Sequence, residues 1–117
     1  MYMKRRGLYI CFFGHTHKQI FWEVDLNGVS LIEFAINEPV ELSDKDLAGS
    51  QLFINTGSVG QPRDNNPDAA YMIYELGDGK HIFTFKRVPY KIETTVKKIY
   101  AIDLLDNLLG DRLLTGS

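Results

Sequence analysis

Two histidines separated by one residue are the clearest chemical feature of the sequence. His15 and His17 belong to a Gly-His-Thr-His motif at residues 14–17, directly after an apolar run at residues 8–13. Neutral imidazole suits zinc, manganese, iron or nickel. Side chains at i and i+2 point the same way in a strand, whereas in a turn they diverge and can reach two neighbouring ions. The motif therefore indicates a metal site.

The same motif also has a purely structural interpretation. Gly14 allows a sharp turn, and a surface turn that contains two histidines by chance would show the same pattern. Two imidazoles cannot complete a tetrahedral or octahedral shell, because three or four protein ligands per ion are usual. On spacing alone, the metal site and the structural turn are equally supported. If there is a metal site, its further ligands would have to be carboxylates, asparagine or histidines from elsewhere.

A second candidate segment lies at residues 57–64, after a predicted short strand at residues 51–55. Glycines, Gly57 among them, flank Ser58 there, and such a turn can present backbone N–H groups to an anion. Arg63 can pair with a phosphate. The alternative, which local evidence favours, is a structural turn in which Arg63 is held by a neighbouring acid.

Composition excludes several classes of protein. A length of 117 residues predicts one small domain, residues 1–117, or part of a larger one. A net charge of −2 gives no electrostatic basis for binding nucleic acid or an anionic membrane. Cys11 is the only cysteine, so we expect a small core residue, no disulfide within the chain and a cytoplasmic location. The apolar run at residues 8–13 is too short for a signal or transmembrane segment.

The elements that must position these residues are mostly strands. The run at residues 8–13 does not alternate, which predicts a strand buried on both faces, and residues 3–7 resemble the end of a helix. Asn27-Gly28 predicts a hairpin, and Gly77-Asp78-Gly79 a second one. The remaining predicted strands cover residues 19–26, 29–36, 40–42, 51–55, 69–76 and 80–88.

Beyond Pro89 the apolar pattern changes to a helical period. One stripe contains Ile92, Val96, Ile99 and Tyr100, and a second contains Leu104, Leu105, Leu108 and Leu109, with Gly110 interrupting. The sequence therefore predicts an α+β, β-rich domain with hairpins and one or two C-terminal helices.

Taken together, these segments resemble the C-terminal half of a calcineurin-like metallophosphoesterase, in particular the small bacterial phosphatases and phosphodiesterases. That superfamily carries Gly-His-Thr-His after a hydrophobic strand, followed by Asn-Pro-Gly-Ser-Val-Gly-Gln-Pro-Arg-Asp, which residues 55–64 match with Thr56 in place of proline. An Ala-(Ser/Ala)-Tyr strand matches residues 69–71, and a Tyr-x-Ile/Val-Glu entry to a helix matches residues 90–93. The resemblance covers nearly the whole chain in the family's order.

The resemblance implies a two-sheet sandwich flanked by helices, with a pair of divalent ions (manganese, iron, zinc or nickel) at a sheet edge. His15 would bind one ion and His17 the other, while an activated bridging water attacks the phosphorus of a phosphate ester in line. The family's N-terminal half supplies an Asp-x-His pair, Gly-Asp-x-x-Asp, Gly-Asn-His-Asp/Glu and a further histidine. This chain matches none of these, and His81 comes too late in the sequence. We therefore expect an incomplete metal site.

Two functional hypotheses follow. The first is a portion of a metal-dependent phosphoesterase that is inactive alone and needs the N-terminal half of the domain or a second copy as its partner. The second is a non-catalytic module, either one that self-associates because apolar surface is left uncovered, or a simple metal or phosphate binder. Neither hypothesis involves nucleic acid or a membrane.

Overall fold

The computed structural model describes Gly7 and residues 9–117, which form seven strands and two helices. The α+β fold class predicted from the sequence is confirmed. Of the helices in this described part, neither is long and apolar enough to cross a membrane. The elements in chain order are β1 Ile10–Phe13, β2 Gln19–Asp25, β3 Gly28–Leu31, β4 Pro39–Ser43, β5 Gln51–Thr56, β6 Ala69–Gly77, β7 Lys80–Val88, α1 Ile92–Tyr100 and α2 Leu108–Thr115.

The strands form two sheets. The first has the order β1-β5-β2-β3, in which β1 runs parallel to β5 and the other pairs are antiparallel. The second has the order β4-β7-β6 and is antiparallel throughout. Fully buried rings join them, since the Phe21 ring lies 5.0 Å from that of Phe83 and 5.9 Å from that of Phe85. Each such side chain contributes about 1.5–3 kcal/mol by its burial. Leu47, Leu52 and Ile54 complete this core.

One face of the four-stranded sheet remains partly open. Directly opposed residues of antiparallel strands share a face, so Phe21 and Ile54 point into the core while Trp22 and Phe53 point outward. Val29 and Leu31 of the edge strand β3 lie on the outward side and are 69% and 68% exposed. We call this side, with its half-buried Trp22 and Phe53, the outer sheet face.

The first strand differs from its prediction. Phe12 is 46% exposed, so β1 is not buried on both faces, because among the described residues it is an edge strand that pairs with β5 alone. Cys11 is a half-buried free thiol rather than a core residue. The predicted helix end at residues 3–7 lies outside the described residues except for Gly7, which is in a turn.

Local contacts also shift one turn and one helix. The first hairpin turns at Leu26-Asn27, one residue early, because the Asp25 carboxylate accepts hydrogen bonds from the N–H groups of Asn27 (2.7 Å) and Gly28 (3.1 Å). Gly110 lies inside α2 rather than interrupting a helix. A Cβ at this glycine would come within 2.5 Å of the Tyr100 ring, so glycine permits α1 and α2 to pack closely.

Candidate functional site

The residues 14–17, named here the GHTH turn, connect β1 to β2. His15 and His17 have φ angles of 75° and 59°, in the left-handed region that residues with a Cβ disfavour by about 1–2 kcal/mol. Gly14, from which the sequence predicts the sharp turn, is not in that region, and a Cβ there would meet no atom within 4 Å. The backbone strain therefore falls on the two histidines, and such strain persists only where the surroundings enforce it.

Asn55 is one of the residues that hold the turn in this conformation. Its side chain is fully buried at the end of β5 and donates hydrogen bonds from Nδ2 to the Gly14 carbonyl (3.0 Å) and to Thr16 Oγ1 (2.8 Å). Its Oδ1 accepts the N–H of Gly57 at 3.0 Å. The amide thus joins the GHTH turn to the segment that follows β5. Asn55 belongs to the motif at residues 55–64, but the sequence pattern gives it no role. Its position, an asparagine at the end of an apolar strand, is the feature that could have indicated one.

The ring of His17 is fixed by a second contact. Its Nδ1 lies 2.7 Å from the Gln61 carbonyl, and the His17 carbonyl in turn accepts the N–H of Arg63 at 3.1 Å. A carbonyl only accepts, so Nδ1 carries the proton, and a ring without a second proton has its lone pair on Nε2. A backbone carbonyl that holds one ring nitrogen in this way is the usual support of a metal-ligating histidine.

The segment at residues 57–64, named here the glycine loop, is held by contacts on both sides. Gly57 has φ 84°, and a Cβ there would lie 2.7 Å from Ala70 Cβ and 2.8 Å from Gln19 Cγ. Ser58 Oγ accepts the N–H of Gln61 at 2.9 Å, and the Ser58 carbonyl accepts the N–H of Ala70 at 3.0 Å. In this structure Gly57 and Ser58 shape the loop that carries Gln61 to His17.

The two arginines near the glycine loop have different partners. Asp64 pairs with Arg87, whose side chain is only 7% exposed and also donates from Nε to Gln19 Oε1 at 3.0 Å. Arg63 is exposed and donates to Gln61 Oε1 at 3.1 Å. Within the described residues, the neighbouring acid Asp64 therefore pairs with Arg87 and not with Arg63. The Arg63 guanidinium is bonded instead to the side chain of Gln61, the residue whose carbonyl contacts His17.

The histidine pair fits part of a metal site. His17 offers a supported imidazole and His15 an exposed one. Among the described residues, however, no group of three or more histidine, cysteine or carboxylate side chains is placed to hold an ion. His81 lies on β7, where its ring nitrogens contact Tyr74 Oη (2.8 Å) and Asp44 Oδ1 (2.9 Å). The described residues therefore bring two imidazoles to one turn, without a third metal-binding side chain beside them.

Comparison with known proteins identifies a relative in sequence and a similar solved structure. No model of a known protein family matches the sequence. The chain is 33% identical over 107 residues to the uncharacterized protein MJ0912 of Methanocaldococcus jannaschii, covering 92% of this chain and 39% of that protein. It is also similar to the crystal structure of a metallophosphoesterase from Sphaerobacter thermophilus, with a TM-score of 0.70 and 31% identity over 94% of this chain and 43% of the other.

These similarities concern part of each relative. The chain spans about two fifths of the length of both proteins, 39% of one and 43% of the other. The two sheets and two helices of the described residues therefore form part of a metallophosphoesterase-like fold.

Proposed function

We propose that this chain is the C-terminal portion of a metal-dependent phosphoesterase and that residues 1–117 form one structural unit of it. His15 and His17 are its contribution to a pair of divalent ions. The observation that carries the proposal is the supported ring of His17, because the 2.7 Å contact of Nδ1 with the Gln61 carbonyl leaves Nε2 as the ligand atom. The metallophosphoesterase-like fold supports the choice of reaction.

Each residue of the site has a specific task in this proposal. His17 and His15 present ligand atoms from a turn that is already bent into its strained conformation, so little ordering remains to be done on binding. Arg63 is exposed beside this turn and offers a planar pair of donors to a phosphoryl group. When bound, the ions supply an activated water and a Lewis acid for displacement at phosphorus. The histidine pair suits manganese, iron, zinc or nickel.

The remaining ligands come from outside the described residues. These residues hold no cluster of three metal-binding side chains, and the solved relative is more than twice as long as the region it shares with this chain. We therefore expect the isolated chain to be inactive. Its partner is a polypeptide that carries the rest of the ligands, and its substrate is a phosphate ester.

A chimera tests the proposal. This chain replaces the matching 43% of the Sphaerobacter thermophilus metallophosphoesterase, and the product is assayed on a chromogenic phosphodiester with Mn²⁺. We expect activity that falls by at least about 100-fold in His15→Ala and His17→Ala, since a first ligand matters more than its supporting groups, which are worth about 10–100-fold.

The matched control is His81→Gln, which changes the remaining histidine. It is expected to keep the activity and the manganese affinity, because this residue lies on β7 in contact with Tyr74 and Asp44. If the folded chimera has wild-type activity in both turn variants, the histidines are not ligands and the proposal is wrong.

One observation favours a second candidate, a non-catalytic module that self-associates. The outer sheet face exposes Val29 and Leu31 on the edge strand β3, and such an edge can pair with another chain. A radius of gyration of 17.3 Å, against about 13 Å for a compact domain of this length, agrees with uncovered surface. Light scattering decides: a stable monomer that melts cooperatively excludes this candidate, whereas a dimer that Leu31→Lys dissociates supports it.

A further inference from the structure

We propose that Asn55 is the positioning residue of the metal site: its amide sets the direction of the histidines and holds the glycine loop so that the Gln61 carbonyl stays on Nδ1 of His17. The inference rests on the proposed function, since it concerns how the same two ligands are presented. Asn55 itself is buried beneath the turn and touches neither ion nor substrate.

The first support is the number of bonds that one buried amide makes. Both sides of the side chain are used, with Nδ2 donating to Gly14 and Thr16 and Oδ1 accepting from Gly57. Two of these bonds go to residues that flank His15 on either side. The amide therefore fixes the backbone immediately before and after the first left-handed histidine.

The second support is the path from Asn55 to the ring of His17. The bond from Gly57 N–H to Asn55 Oδ1 starts the glycine loop, and that loop delivers the Gln61 carbonyl to His17 Nδ1 at 2.7 Å. Loss of the amide would release both ends of this arrangement, the GHTH turn and the loop. The neutral ring would then be free to move its proton to Nε2, the atom that the ion needs unprotonated.

The third support is chemical, because only an amide fits this position. The site requires two donor hydrogens on one atom and an acceptor on the other. An aspartate keeps the shape and the acceptor but presents a carboxylate to the Gly14 carbonyl, and a leucine offers neither group. Burying a carboxylate against a carbonyl acceptor in this way is costly, because position 55 is fully buried.

The test determines the tautomer of each histidine ring in the whole, metal-free chain by long-range ¹H–¹⁵N correlation NMR. In the wild-type protein we expect His17 in the Nδ1–H form. In Asn55→Asp we expect a mixture of the two tautomers, while the signals of His81 stay unchanged and report an intact fold. In the chimera, which supplies the remaining ligands, Asn55→Asp is expected to lower the Mn²⁺ affinity by about 10–100-fold, the usual effect of losing a supporting group.

Thr16→Val is a second variant that tests the same inference if Asn55→Asp does not fold. Thr16 is exposed, and the valine removes only the oxygen that accepts the 2.8 Å bond from Asn55. A smaller shift of the His17 tautomer in the same direction supports the inference. An unchanged tautomer in every variant that folds overturns it.

The two proposals can fail separately. If His15→Ala and His17→Ala leave the Mn²⁺ affinity of the chimera unchanged but Asn55→Asp still changes the His17 tautomer, the positioning role stands and the metal site is wrong. If Mn²⁺ binding needs His15 and His17 while Asn55→Asp leaves both affinity and tautomer unchanged, the metal site stands and the role of Asn55 is wrong.

Discussion

His17 and His81 are both partly buried and both hydrogen-bonded, yet their surroundings differ in kind. His81 lies in the regular strand β7, and both of its ring nitrogens have partners, Tyr74 and Asp44. His17 lies in a left-handed turn, and one ring nitrogen is held by a backbone carbonyl. The contacts of His81 thus lie entirely within the fold, whereas those of His17 leave one ring nitrogen for the ligand role that we propose.

The largest expected effect comes from breaking the support of the turn. Gly57→Ala places a Cβ 2.7 Å from that of Ala70 at a φ of 84°, so we expect a loss of about 2–3 kcal/mol in the free energy of unfolding. Gly14→Ala is the matched control, since its Cβ meets nothing within 4 Å, and a change within about 0.5 kcal/mol is expected. Urea denaturation measures both. Equal losses would show that Gly14 is as important for the turn as the glycine loop is.

A smaller effect distinguishes the two kinds of histidine directly. His15→Gly removes a side chain from a left-handed residue, so we expect the free energy of unfolding to rise by about 0.5–1 kcal/mol while metal binding is lost. His81→Ala leaves the Tyr74 hydroxyl without its partner and should lower it by about 1–2 kcal/mol. Thermal and urea unfolding of the metal-free proteins test this contrast. Loss of stability in both variants would mean that His15 also has a structural role.

The smallest effect concerns alkaline pH. Burial, and secondarily the charge of Asp44, raise the pKa of Tyr74 above its usual value of 10.0. The fold therefore prefers the neutral phenol, so the stability that it contributes is complete below about pH 10 and is lost as pH rises through the raised pKa. In Tyr74→Phe we expect a shallower loss of stability above pH 10. Tyr100, whose pKa is raised by its bond to Asp111, titrates in both proteins and cancels in the difference.

Features specified by neighbouring residues were predictable from the sequence. The hairpin at Asp78-Gly79 forms as expected, since both residues adopt positive φ angles of 53° and 70°. Phe83 and Phe85 share the buried face of β7, as their alternation indicates. The stripe that predicts α1 begins and ends where the helix does, at Ile92 and Tyr100. In each case the signal lies within a few residues.

Contacts between distant residues account for what the sequence did not reveal. Asp64 pairs with Arg87, 23 residues away, and Asn55 bonds to Gly14, 41 residues away, so no local pattern indicates either contact. The left-handed conformation of His15 is likewise imposed by surroundings that the GHTH motif does not encode, whereas the motif itself directed attention to Gly14. The candidate ligands were thus visible in the sequence, but their support was not.

The glycine loop has a mechanical consequence. It lies in the covalent link between β5 of one sheet and β6 of the other, and it is bonded to Asn55 of β5, to Ala70 of β6 and to His17 of the GHTH turn. We therefore expect a displacement of one sheet relative to the other to move the GHTH turn. Under the proposed function, substitutions in the Phe21–Phe83 contact should therefore also change the metal affinity, although neither ring belongs to the GHTH turn.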